Sequence, residues 1–318
     1  MKTIASITSE NRTEGQEKQF KRLLEDGVPK ALVLALKKLN PDKDGMDRLL
    51  GNGDEVINAM VDAVLEKARE FTTPDQYADE EVESSYAYPE EYKGPRPIAE
   101  QIRTLANIFG LDPSHALEFA EKVLPTLTLP EGTEGWFAIL SPTALEKLFP
   151  QAIDLGDRYC QAVSLVLGKI AASRKFYNYR EGQITKDRLR QHSRTVAAIG
   201  KIAESQKGDI LVVPAQLGLC HRGRSVRRAR VCLISGEFGL RALDVGCIAL
   251  THPERLVRFE ELDMDCSGDE FDDPDSVVRF GRAPYLCFHD DWVKFGTFRV
   301  GNARVYFGSA SGFLPQLN

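Results

Sequence analysis

Apolar positions recur every three to four residues over 16–24 and 29–39, and again over the longer stretch 54–71. Three amphipathic helices are predicted there, with Asn52, Gly53 and Asp54 placed to cap the last. The pattern stops at 72–96, where Glu, Asp, Tyr and Pro crowd together and Asp79, Glu80, Glu81, Glu90 and Glu91 concentrate negative charge. A solvated acidic linker or long loop is expected, and Tyr77, Tyr86, Tyr88 and Tyr92 equip it to lie across a surface. Helical spacing resumes at 97–109 and at 113–124, the second opened by Asp112 as N-cap and Pro113 at the first helical position.

Farther along, the two periodicities mix. Residues 136–140 read as a strand, and Ser141 with Pro142 opens a short helix to Leu148. Helices are predicted over 157–173 and 186–206, a strand over 209–214, a helix over 225–234 and a strand over the apolar run 242–250. The end of the chain reads as a β-meander of strands 285–289, 292–300 and 303–307, turning at Asp290-Asp291 and Gly301-Asn302. The expected class is α+β. A helical N-terminal half (1–71) and the linker (72–96) precede a mixed α/β domain (97–318) that ends in the antiparallel meander.

The 318 residues, 42% hydrophobic, suffice for one large core or two modest ones. A net charge of −6 gives no global reason to seek nucleic acid, but its distribution does. Between Lys169 and Arg230 there are 15 Lys/Arg against four acids, a local charge of +11, while the rest of the chain carries −17. Such asymmetry calls for an anionic partner, either another molecule or the protein's own acids. The six cysteines begin at Cys160 and form no C-x-x-C pair, which argues against a zinc ribbon or redox motif and for free thiols. The N-terminus lacks the apolar core of a signal peptide, and no apolar run has membrane-spanning length. A cytoplasmic protein with no membrane partner is expected.

The densest chemistry lies at 221–230, where five arginines follow the apolar run 210–214. Strand, glycine-bearing loop and helix succeed one another, with Gly218 and Gly223 allowing close backbone approach and Ser225 or Gly223 available as cap. Arg222, Gly223, Arg224, Ser225, Arg227, Arg228 and Arg230 are therefore the candidate anion-binding residues, since guanidinium forks and free helix amides both suit phosphate. Val226, Ala229 and Leu233 form the buried face, and Arg224, Arg227 and Arg228 cluster outward. Their mutual repulsion is relieved by an acidic partner. The Walker spacing is absent. On the helix expected at 186–206, Arg190, Arg194 and Lys201 oppose an apolar face of Leu189, Val196, Ile199 and Ala203.

Upstream, Phe176, Tyr177 and Tyr179 alternate with cations. They read either as stacking platforms for single-stranded nucleic acid or as a core corner between two helices. His221, beside Cys220, and His252, at the end of the 242–250 run, are the candidate catalytic residues; adjacency of Cys220 and His221 is a poor nucleophile–base geometry. Cys287, His289 and Asp291 alternate, but the turn at Asp290-Asp291 breaks the alternation, so no metal site is assigned. The run 263–268 resembles the opening of an EF-hand loop over six residues, with Pro274 where its bidentate Glu belongs. The acidic run 260–275 is expected to be solvated or to pair with the arginines. No pattern specifies a cofactor or an oligomeric state.

Three functions fit. The chain binds nucleic acid or another phosphate-bearing polyanion without catalysis. Alternatively it is an enzyme acting on a phosphorylated small molecule, or a structural or assembly protein whose charged segments pair internally.

Overall fold

A computed structural model describes residues 14–22, 25–26, 28–39, 41–53, 76–259 and 261–317. The fold is α+β, and the chain divides into two compact units, Met1–Thr72 and Thr73–Asn318. The first unit contains α1 (Glu14–Arg22), α2 (Val28–Leu39) and α3 (Lys43–Gly51). The first two sit where the apolar spacing puts them. The third begins where the Asp42 carboxylate accepts the Gly45 N–H at 2.7 Å, an N-cap that satisfies one of the free amides of the first turn. The helix expected over 54–71 lies outside the described residues.

In the second unit the helices are α4 (Ile98–Phe109), α5 (Ser114–Lys122), α6 (Pro142–Leu148), α7 (Leu155–Ser173), α8 (Ser193–Gln206), α9 (Val226–Cys232) and α10 (Ala242–Thr251). One antiparallel sheet orders its strands β2 (Gly135–Leu140), β5 (Ile210–Gln216), β12 (Ser311–Phe313) and β6 (Glu237–Gly239). Every residue of β5 is buried, as expected for a strand covered on both faces. A second sheet runs β11 (Phe307–Ser309), β7 (Asp263–Asp265), β9 (Arg282–His289), β10 (Trp292–Arg299) and β3 (Phe176–Asn178). Off β9 hangs β8 (Asp269–Phe271), which pairs with β4 (Leu189–Gln191). Only Ala310 separates β11 from β12, so one extended segment passes from the second sheet to the first. The short strand Leu127–Thr128 (β1) pairs with Gln316–Leu317 (β13).

Three sequence expectations are corrected here. Residues 242–250 form the helix α10 and not a strand; all its residues except Leu250 are buried. A helix apolar on every side has no polar stripe to reveal its period, so a short run reads equally as a core strand. Its start is fixed by Arg241, whose N–H donates to Asp244 Oδ2 at 3.0 Å while its guanidinium grips the same carboxylate. Gly246 lets Val166 of α7 come close; a β-carbon there would fall 2.5 Å from Val166 Cγ1. The helix expected over 186–206 begins only at Ser193, because Leu189–Gln191 is drawn into β4 by pairing with β8, a non-local partner. The meander has two strands, joined by Asp290 and Asp291 at φ 53° and 63° in the hairpin geometry expected. Residues 303–306 form no third strand. Instead Arg304 stacks on Phe298 with Cζ 3.4 Å from the ring centre, and the chain then pairs with β7 in parallel. No helix among the described residues is long and apolar enough to cross a membrane.

Candidate functional site

The arginine-rich loop grows out of the end of β5. Gln216 turns its side chain back, its Oε1 accepting Gly218 N–H at 2.6 Å, and a single 3-10 turn at Leu219–His221 leads into the loop. Ser225 caps α9 by accepting Arg228 N–H at 3.1 Å, and Val226 and Ala229 are buried beneath. The strand, loop and helix of the sequence reading are present. The state of the arginines differs from an open cradle.

Acids of the segment 76–96 occupy the arginines. Arg227 Nε donates to both carboxylate oxygens of Glu80 at 2.7 and 2.8 Å, its Nη2 makes a further contact, and Ser225 Oγ donates to the same group at 2.6 Å. The Arg227 guanidinium holds the Glu80 carboxyl below the usual carboxylate range against the opposing effect of burial. Glu81 receives Arg228 Nε and lies 3.5 Å from Arg224 Nε. Burial pushes Glu81 upward, but these two guanidinium groups hold it down. Arg228, expected to face outward, is only 6% exposed and also donates to Gln76 O at 3.0 Å. Arg222 Nη1 donates to Tyr86 O at 3.0 Å, and Arg230 donates to the carbonyls of Ser267 and Asp269 at 2.9 and 2.7 Å, with Glu270 3.6 Å away. The acids that answer the cluster thus come mainly from 79–81, with Glu270 answering Arg230.

The backbone takes part as well. Val82 N–H donates to Gly223 O at 2.8 Å and Ser225 N–H to Glu80 O at 3.0 Å, which places Glu81 opposite Arg224 as an antiparallel bridge. Gly223 has φ +73°, and a β-carbon there would collide with the Val82 carbonyl, so glycine is required twice over. Farther along the segment 76–96, which forms a strap over the arginine loop, Leu262 N–H donates to Ala87 O at 2.9 Å, and Tyr88 donates to Glu134 beneath the guanidinium of the fully buried Arg255, 4.1 Å from the ring centre. Burial and the Glu134 charge keep Tyr88 protonated, raising it well above its usual range.

Neither candidate histidine is placed as a catalytic base. His221 is buried; Arg224 Nη1 lies 3.2 Å from its Nδ1, and since arginine only donates, Nε2 carries the proton and donates to Glu237 at 2.7 Å. Ser311 also donates to Glu237, at 2.6 Å, so serine and histidine share a carboxylate and do not pair with each other. His252 Nε2 accepts Arg96 N–H at 2.9 Å and Nδ1 lies 2.8 Å from Thr251 Oγ1, which fills both ring nitrogens. Burial pushes His252 down to about 4. The site missed by sequence reasoning is the strap itself. Its signal was the concentration of acids at Asp79, Glu80 and Glu81, close in density to the arginines they meet.

The aromatic candidates separate by strand alternation. Phe176 packs against the core, while Tyr177 on edge strand β3 and Tyr179 just past its end are half exposed, with ring centres 4.7 Å apart at 73°. Tyr177 borders a cleft of about 470 Å³ between β3 and α7. In the arginine stripe expected on α8, Arg190 belongs to β4 and pairs with Glu270 at 2.7 Å, and Arg194 turns inward to donate to Glu237 O at 2.7 Å. His289 Nδ1 lies 2.6 Å from Asp290, and Asp291 sits in the hairpin turn, away from Cys287. No family model matches the chain, and comparison with curated proteins and with solved structures gives no match.

Proposed function

We propose that this is a structural or assembly protein in which the arginine-rich loop-helix clamps the chain's own acidic segment. The observation that carries the reading is the Glu80 carboxylate held by Ser225 and by the fork of Arg227. That carboxylate takes the position at the opening of α9 that the sequence assigned to a foreign anion. Two acids inserted among Arg224, Arg227 and Arg228 also relieve the repulsion between those cations.

A second reading, binding of nucleic acid or another polyanion, draws on the outer surfaces of Arg222 and Arg227, which stay exposed. Thermal unfolding in about 0.05 and 0.5 M NaCl, with and without polyphosphate, separates the two. The clamp predicts a lower Tm in high salt and no stabilisation by polyphosphate. A Tm raised by polyphosphate at low salt, and lost at high salt, supports the second reading and counts against the clamp.

A further inference from the structure

The acidic strap is held in the manner of a bound peptide, and we propose that the arginine loop is a receptor for an extended acidic peptide of a partner protein, blocked in cis by residues 79–84. The proposal rests on the clamp reading and adds an occupant that competes with the strap.

Three features define the ligand class. The two backbone hydrogen bonds at Gly223 and Ser225 form a one-residue antiparallel bridge at Glu81, which is extended and follows a 3-10 turn at Ala78–Glu80, and they demand a free C=O before that residue and a free N–H after it. The sockets at Arg227 with Ser225, and at Arg228 with Arg224, demand consecutive acidic side chains. Gly223 lies so close to the Val82 carbonyl that a β-carbon there would collide with it, so the loop seats a main chain at close range. A peptide with two adjacent glutamates satisfies all three.

The strap is also exchangeable. Val82 remains 39% exposed, so little apolar burial secures this stretch, and the ion pairs that do are reproduced by any incoming peptide of the same chemistry. Tethering gives the strap an effective concentration of roughly millimolar, so an external peptide competes poorly until the strap is loosened.

The test uses the full chain and a fluorescein-labelled peptide of sequence 78–86. Glu80→Gln/Glu81→Gln in the protein loosens the strap while leaving the receptor arginines intact. Fluorescence anisotropy at low salt is expected to show that the double variant binds the peptide at least about tenfold more tightly than wild type. Adding Arg227→Gln, or replacing both peptide glutamates by glutamine, is expected to abolish that binding. Two results overturn the proposal: a double variant with native circular dichroism that binds no better than wild type, or one that binds a single-stranded oligonucleotide of equal charge as tightly as the peptide. Should the double variant fail to fold, wild type is titrated with millimolar peptide while exchange of the Val82 amide is followed. Faster exchange supports competition, and unchanged exchange overturns it. Failure of the clamp reading has a separate signature, a Val82 amide equally protected in wild type and double variant.

Discussion

His252 lies between the rings of Tyr92 and Phe137, with centroid distances of 6.0 and 5.3 Å, and its Nε2 accepts the Arg96 N–H. It holds the strap's exit to the start of α4. Replacement by Phe keeps the ring and leaves that N–H unsatisfied, which costs about 1–3 kcal/mol at neutral pH. Burial lowers His252 from 6.5 to about 4 in the folded state, so its contribution is complete above pH 6.5 and declines as pH falls toward 4. Urea unfolding at pH 7 and pH 5 is therefore expected to show the gap between wild type and His252→Phe narrowing at the lower pH. Asp265 behaves oppositely. Burial lifts it from 3.8 to about 7, so the folded protein loses stability as pH rises between those values. Asp265→Asn escapes this loss, and its Tm relative to wild type should climb between pH 5 and pH 8. Neither group announces its state in sequence, since a polar residue's desolvation depends on what non-local chain covers it.

At the scale of elements, sequence legibility followed locality. The caps at Ser141 and Ser225 are local arrangements, and both serines accept the expected amides, from Ala144 at 3.0 Å and Arg228 at 3.1 Å. The Asp290-Asp291 hairpin is equally local. What escaped was decided by distant partners: β4 by β8, α10 by the layers that enclose it, and the end of the expected third meander strand by the parallel pairing of β11 with β7. The arginine loop was legible as strand, loop and helix, whereas its occupant lies some 140 residues upstream, with Ser225 separated from Glu80 by 145 positions. Gly223 is the element-level test of their union. Gly223→Ala combines a positive φ with a collision against the Val82 carbonyl. A loss of about 1–3 kcal/mol is expected, with limited proteolysis appearing first within 76–96.

Across the whole sequence the charge of −6 conceals a +11 segment within an acidic remainder. In the Thr73–Asn318 unit part of that imbalance is met internally: Glu80 and Glu81 answer Arg227, Arg228 and Arg224, Glu270 answers Arg190 and Arg230, and Asp273 answers Arg180, along with Arg282 from beyond the segment, at 2.7 and 2.9 Å. The charge pattern along the chain marks the basic half of this arrangement and leaves 260–275 either solvated or as its partner; Glu270 and Asp273 of that run do pair with arginines, while Glu80 and Glu81 lie far upstream. Hydrogen exchange at the Val82 amide, compared between wild type and Glu80→Gln/Glu81→Gln, bears most directly on the clamp. Its hydrogen bond to Gly223 O reports the docked strap, and the amides of β5 serve as the internal reference. The clamp predicts that Val82 protection falls by at least about tenfold in the variant while β5 is unchanged. Equal Val82 protection in both proteins would contradict it.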